Sequence, residues 1–161
     1  MKAGFWALVL NAAVLLSPPS AAAQDFDAGL SAYNVADYAT AFGHWWPLSM
    51  RGDGKSQAAL GYLYYKGLGV GANPSTAALW FTRAADKGEP TAQFFLGTLY
   101  LEGRGVGRDL ARAYMWCDIA LSNGFTAGLA CRDEAALNME AEDFASSSRM
   151  TVEWRRAHQG G

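Results

Sequence analysis

The feature that most limits how this chain can fold is that it repeats itself. Laying residues 56–88 over residues 92–124, an offset of 36, pairs SQAALGYLYYKGLGVGANPSTAALWFTRAADKG with AQFFLGTLYLEGRGVGRDLARAYMWCDIALSNG without a gap. Thirteen of the 33 positions are identical, among them Leu60/Leu96, Gly61/Gly97, Leu63/Leu99, Tyr64/Tyr100, Gly67/Gly103, Gly69/Gly105, Gly71/Gly107, Trp80/Trp116 and Gly88/Gly124. The register also runs backwards: Thr40, Ala41, Gly52 and Gln57 fall over Thr76, Ala77, Gly88 and Gln93, so a degenerate copy begins near Phe26. A period of this length marks a supersecondary unit that buries its apolar face only against its neighbours, so the chain must build a stacked array.

Each unit reads as a pair of helices. Leu60, Leu63 and Tyr64, then Leu96, Leu99 and Tyr100, recur at the three- and four-residue spacing that lines one helical face. Gly61 and Gly97 sit beside that face, where a missing side chain lets a neighbouring helix approach. Gly67, Gly69 and Gly71 end the first helix and supply backbone angles that other residues adopt at a cost. Asn73 or Asp109 is placed to cap the next helix, Ala77, Trp80, Phe81 and Ala84 form its apolar stripe, and Gly88 or Gly124 stops it. The glycines are therefore no phosphate cradle: a dinucleotide fingerprint follows a strand, whereas here a helix precedes a G-x-G-x-G spacing.

The ends depart from this pattern. Residues 1–23, MKAGFWALVLNAAVLLSPPSAAA, carry a lysine, an apolar stretch, a Ser-Pro-Pro breaker and a run of alanines, the order of a secretory leader cleaved after Ala23. The apolar stretch is shorter than the ~20 residues a membrane span requires. Beyond it, 12 basic and 15 acidic residues leave a small net negative charge without a basic stripe, which excludes the electrostatic footprint of nucleic-acid binding. The expected product is periplasmic or secreted, without membrane attachment once the leader is removed. In the first unit, HWWP at residues 44–47 places a proline inside a helix, which is expected to be kinked or short. In the tail, Asn138 is expected to cap a helix running from Met139 to about Arg156, with Phe144, Ala145, Ser148 and Val152 as its apolar face.

The stretches LGYLYYKGLGVGANPSTAALWFTRAADKG and LGTLYLEGRGVGRDLARAYMWCDIALSNG resemble the Sel1-like repeat family, a branch of the tetratricopeptide-type helical solenoids. With the partial first copy, the resemblance covers about two thirds of the chain. It implies an all-α, right-handed superhelical solenoid of αα-hairpins in one domain, residues 24–161, with units at about 26–55, 56–91 and 92–127 and a C-terminal cap at 128–158. It also implies a protein-protein interaction scaffold or regulatory adaptor of the bacterial envelope that holds a protein or peptide partner. A disulfide-rich branch of the same family, linked to penicillin binding and weak β-lactamase activity, makes a cell-wall enzyme the alternative, and a purely structural assembly subunit is a third. The enzyme carry-over fails at the residues: where that branch has its cysteine pairs, this chain has Ala85 and Gln93, then Leu121 and Leu129.

Cys117 and Cys131 lie seven residues on either side of Gly124, across from each other if a hairpin turns there. A bridge is the expectation in an exported protein, two separately buried thiols the alternative. No serine stands in a Ser-x-x-Lys motif, and His44 and His158 belong to no ligand cluster, so no catalytic residue, metal or cofactor is expected. Trp80, Trp116, Tyr64 and Tyr100 repeat, which marks them as packing residues. Tyr62, Tyr65, Phe94, Thr98 and Leu101 vary between copies or lie off the packing stripe, and Lys66 and Glu102 put opposite charges at one repeat position, a sign of exposure. The candidate binding residues are accordingly Tyr62, Tyr65, Lys66, Thr98, Leu101 and Glu102, on a groove lined by first helices; inter-repeat packing is the competing use of the same aromatics.

Overall fold

A computed structural model of the protein describes residues 26–158; the expected leader lies outside them. Those residues form eight α-helices and no strand: α1 (Phe26–Asn34), α2 (Tyr38–Met50), α3 (Gly54–Lys66), α4 (Pro74–Ala85), α5 (Pro90–Glu102), α6 (Leu110–Ser122), α7 (Gly128–Ala136) and α8 (Ala141–His158). From α1 to α7 each helix packs on the next in the chain, α3 also reaches α5 and α5 reaches α7, while α8 packs back on α6, so three helix pairs stack as a solenoid closed by α7 and α8.

Local chemistry sets the helix boundaries. Asp37, Asp53, Asn73 and Asp109 each accept the backbone N–H three residues ahead, from Thr40, Ser56, Thr76 and Arg112, and so open α2, α3, α4 and α6. Gly67 and Gly103 close α3 and α5 in the left-handed conformation, φ 72° and 68°. The second glycine of each loop has a further reason to lack a side chain. A β-carbon on Gly69 would lie 2.7 Å from Tyr38 Cβ and 2.9 Å from its carbonyl carbon, and one on Gly105 would collide with the carbonyl of Pro74. Each loop is thereby seated on the start of the preceding unit's second helix. Gly71 and Gly107 have neither a positive φ nor a neighbour within 4 Å of such a carbon, and nothing in the structure explains their recurrence.

Inside the array, Gly61 lets the Phe81 ring come down on α3, where a β-carbon would be 2.7 Å from Cδ1. Gly97 does the same for Cys117. Phe81 packs with Leu96, Leu99, Met115 and Trp116, while Trp80 joins Trp45, Leu60 and Leu63 one unit earlier. Two junctions carry a buried polar tie as well: Gln57 Nε2 donates to Ser49 O at 3.0 Å, and its repeat mate Gln93 donates to Ala85 O at 3.2 Å, a second donor for last-turn carbonyls that also accept the Gly52 and Gly88 N–H.

Three expectations for the ends change. The helix containing Pro47 is not short: α2 spans 13 residues and ends three past the proline. The carbonyl that Pro47 leaves without a donor belongs to Gly43, which is exposed and can meet water. Asn138 does not open the last helix; its Nδ2 donates to Glu134 O at the end of α7, and the Glu140 N–H meets the Asp143 carboxylate at the start of α8. The apolar face of α8 is also rotated. Phe144, Ala145, Ser148 and Val152 are exposed, and Ser147, Met150 and Trp154 turn inward, because Trp154, the largest ring in the helix, meets Trp116 edge-on at 5.8 Å. The glycine-free first loop turns instead at Ala36, with φ 61°.

Candidate functional site

The first helices α1, α3, α5 and α7 share one face of the stack, and the aromatic residues of that face touch in sequence. Tyr33 meets Tyr62 at 6.4 Å, Tyr62 meets Phe95 at 5.3 Å, Phe95 meets Phe94 at 5.2 Å, and Phe94 meets Phe125 at 5.1 Å. All five are part-buried, with an edge or face left to solvent. Burial, then the neighbouring Tyr62, raises the Tyr33 phenol above its usual range.

Two hollows open along this band. The first, about 290 Å³, lies between α1 and α3 and is walled by Leu30, Tyr33, Trp45, Ala58, Ala59 and Tyr62, with Lys55, Glu89 and Thr91 at its edge. Trp45 is fixed there because its indole N–H donates to Phe26 O at 3.1 Å and Gly29 leaves space for its ring. The second, about 310 Å³, lies between α5 and α7 and is formed by Phe94, Thr98, Leu101, Ala127, Ala130 and Cys131, with Glu102 and Glu134 at its edge. The Cys117–Cys131 disulfide, Cα–Cα 5.9 Å, ties α6 to α7 beneath this second hollow.

The residues singled out from the sequence divide between these places. Tyr62 walls the first hollow, and Thr98, Leu101 and Glu102 belong to the second. Leu101 is only 9% exposed and packs on Ala113, Cys117, Cys131 and Ala135, so it serves as floor more than contact. The Thr98 hydroxyl donates to Phe94 O at 3.0 Å, which leaves its methyl to the hollow. Between the hollows, Lys66 lies over the Tyr65 ring at 5.2 Å, and Arg104 covers the same ring at 4.8 Å while its Nη1 donates to the Tyr65 hydroxyl and to Glu102 at 3.2 Å. This exposed cationic bridge lies between the two hollows, and Arg104 was not among the sequence candidates.

Leu30, Tyr33, Lys55, Glu89 and Glu134 were missed too. Only Glu89 carries a signal in the repeat alignment: it stands 36 residues after the capping Asp53, yet its side chain makes no cap bond. Burial first, and then Asp53, raise its carboxyl above the usual range, against the opposing pull of Lys55.

The sequence profile of the Sel1 repeat matches residues 54–89 and 90–125. This is a Sel1-repeat protein. Among solved structures it is similar to a protective antigen present in uropathogenic Escherichia coli strains that displays an SLR fold, with a TM-score of 0.79 and 25% identity over 86% of this chain and 30% of the antigen. It is also similar to a Sel1 repeat protein from Oxalobacter formigenes, with a TM-score of 0.56 and 26% identity over 74% of this chain and 58% of the other. The Sel1-repeat protein thus spans less than two thirds of either. No curated protein matches its sequence significantly.

Proposed function

We propose that this Sel1-repeat protein is an exported, non-catalytic adaptor that holds a protein or peptide partner along the face of α1, α3, α5 and α7. Sel1 repeats generally serve protein partners, and the observation that carries the reading here is the aromatic band from Tyr33 to Phe125 with two hollows left open beside it. Rigid rings with one edge in water give contact area at little conformational cost, the composition expected of a recognition surface. A partner lying across both hollows would cross Tyr62, Tyr65, Lys66, Thr98 and Glu102. The leader-like first 23 residues and the disulfide support an oxidising destination, periplasmic or extracellular. Among the described residues no helix is long and apolar enough to cross a membrane.

The test is in-cell photo-crosslinking with the reactive side chain placed at Tyr62 or Thr98 on the inner face, or at Leu79, which is 66% exposed on α4. Adducts to one protein from the inner positions and none from Leu79 are expected. Adducts from Leu79 alone, or from no position, would refute the reading.

A further inference from the structure

The first hollow departs from the repeat at a single informative position. Asp37, Asp53, Asn73 and Asp109 all open their helices by accepting a backbone N–H. Glu89, in the place of Asp53 one unit on, gives up that bond. Its side chain lies instead against Gly54, where a β-carbon would be 2.9 Å from Glu89 Cγ, and its carboxylate stands at the edge of the hollow with no hydrogen-bond or ion-pair partner among the described residues. Lys55 is near enough to favour the charged form but forms no ion pair with it. A residue that breaks the local rule and leaves a part-buried carboxylate unpaired serves something other than the fold.

The surroundings specify what would suit that carboxylate. The rings of Tyr33, Trp45 and Tyr62 present π faces or edges, Leu30, Ala58 and Ala59 present hydrocarbon, and Lys55 is the one basic group on the lining, opposite in sign to Glu89. Ring faces and a carboxylate both favour a cation, and the hydrocarbon suits the methylene stem that carries one. The second hollow is also apolar with acids on its lining: it has one ring, Phe94, with Glu102 and Glu134 and no basic side chain. Glu102 is already engaged by Arg104, which leaves Glu134 for a ligand. The net charge of −2 on the chain favours approach of a basic partner as well.

We propose that the hollow between α1 and α3 is a socket for a long cationic side chain, arginine or lysine, of a partner polypeptide, its stem along Ala58, Ala59 and Tyr62 and its charge on Glu89, and that the hollow between α5 and α7 receives a second one against Glu134. The partner segment therefore carries one basic residue for each hollow, with none called for over Lys66 and Arg104 between them. This assignment rests on the reading that the first-helix face holds a protein.

The probes are two fluorescein-labelled dodecapeptides of arginine, leucine and alanine, one as such and the other with every arginine replaced by glutamate. Binding is followed by fluorescence anisotropy at low and moderate salt and located by amide shifts in the labelled protein. The arginine peptide should bind and move Ala58, Ala59 and Tyr62, and the glutamate peptide should not bind. Glu89→Gln should weaken binding at least fivefold with its thermal transition intact, whereas Asp86→Asn, which removes an exposed charge away from the hollow, should leave affinity unchanged. Equal binding of the two peptides, equal loss from both variants, or no loss from Glu89→Gln would overturn the socket. If the inner-face crosslinks form and Glu89→Gln loses nothing, the socket alone falls; if no inner-face crosslink forms, the underlying reading falls and takes the socket with it.

Discussion

Replacing Gly105 by alanine should destabilise the fold strongly, and replacing Gly107 by alanine should not. Gly105 has φ 73°, and a β-carbon there would run into the Pro74 carbonyl and come within 2.5 Å of Ser75 N, backbone of the first turn of α4. A left-handed alanine costs about 1–2 kcal/mol, and forcing extra volume against a packed helix adds about 1–3 kcal/mol. The loss should be about 2–5 kcal/mol, or roughly 6–18 °C in Tm for a domain of this size. Gly107 lies two residues on, with no positive φ and no atom within 4 Å of a β-carbon. Alanine there restricts only the unfolded chain and should stabilise by about 0.4–1 kcal/mol. Thermal and urea unfolding followed by far-UV circular dichroism reads both, and Gly69→Ala against Gly71→Ala repeats the experiment one unit earlier. Equal effects from Gly105→Ala and Gly107→Ala would refute the idea that each loop is seated on the unit before it.

Other outcomes follow from single contacts. Asn123 donates to Gln93 Oε1 at 2.9 Å, while the equivalent Gln57 Oε1 is buried without a partner and the residue 36 before Asn123 is the exposed Lys87; Lys87→Asn should therefore raise stability by about 1 kcal/mol, measured against Lys87→Ala as control. Because burial raises the Glu89 carboxyl in the folded state, the native protein binds the proton more tightly than the unfolded chain, and stability falls as pH rises above the ordinary carboxylate range; Glu89→Gln should abolish that fall and match or exceed the parent in urea unfolding at neutral pH. Removing the disulfide, which spans 14 residues, should cost about 3 kcal/mol; unchanged unfolding of a Cys117→Ala/Cys131→Ala variant would show that packing alone fixes α7 on α6.

The stacked helix pairs were legible because the forces that make them are periodic. Leu60 and Leu96, Gly61 and Gly97, and Trp80 and Trp116 must recur wherever one unit meets the next, so an offset comparison exposes them. The same comparison set Gln57 over Gln93, but nothing in a sequence says that an amide is buried against a carbonyl at a helix end. The last helix follows no repeat, and its moderately apolar positions left two plausible faces; the edge contact of Trp154 with Trp116 chooses between them. The candidate site was half legible. Tyr62, Thr98 and Glu102 line hollows because unlike residues at equivalent positions point away from shared packing. Tyr33 and Leu30 sit in a unit too degenerate to align, and Glu89 looked like an ordinary helix start until its cap bond proved to be missing.

The working surface is most directly tested by hydroxyl-radical footprinting of the protein with and without its crosslinked partner. The account predicts that the partner shields Tyr33, Tyr62 and Phe94 while Trp46 and Leu79, on the second helices, oxidise as before. Shielding of Trp46 and Leu79 with Tyr33, Tyr62 and Phe94 unchanged would contradict it.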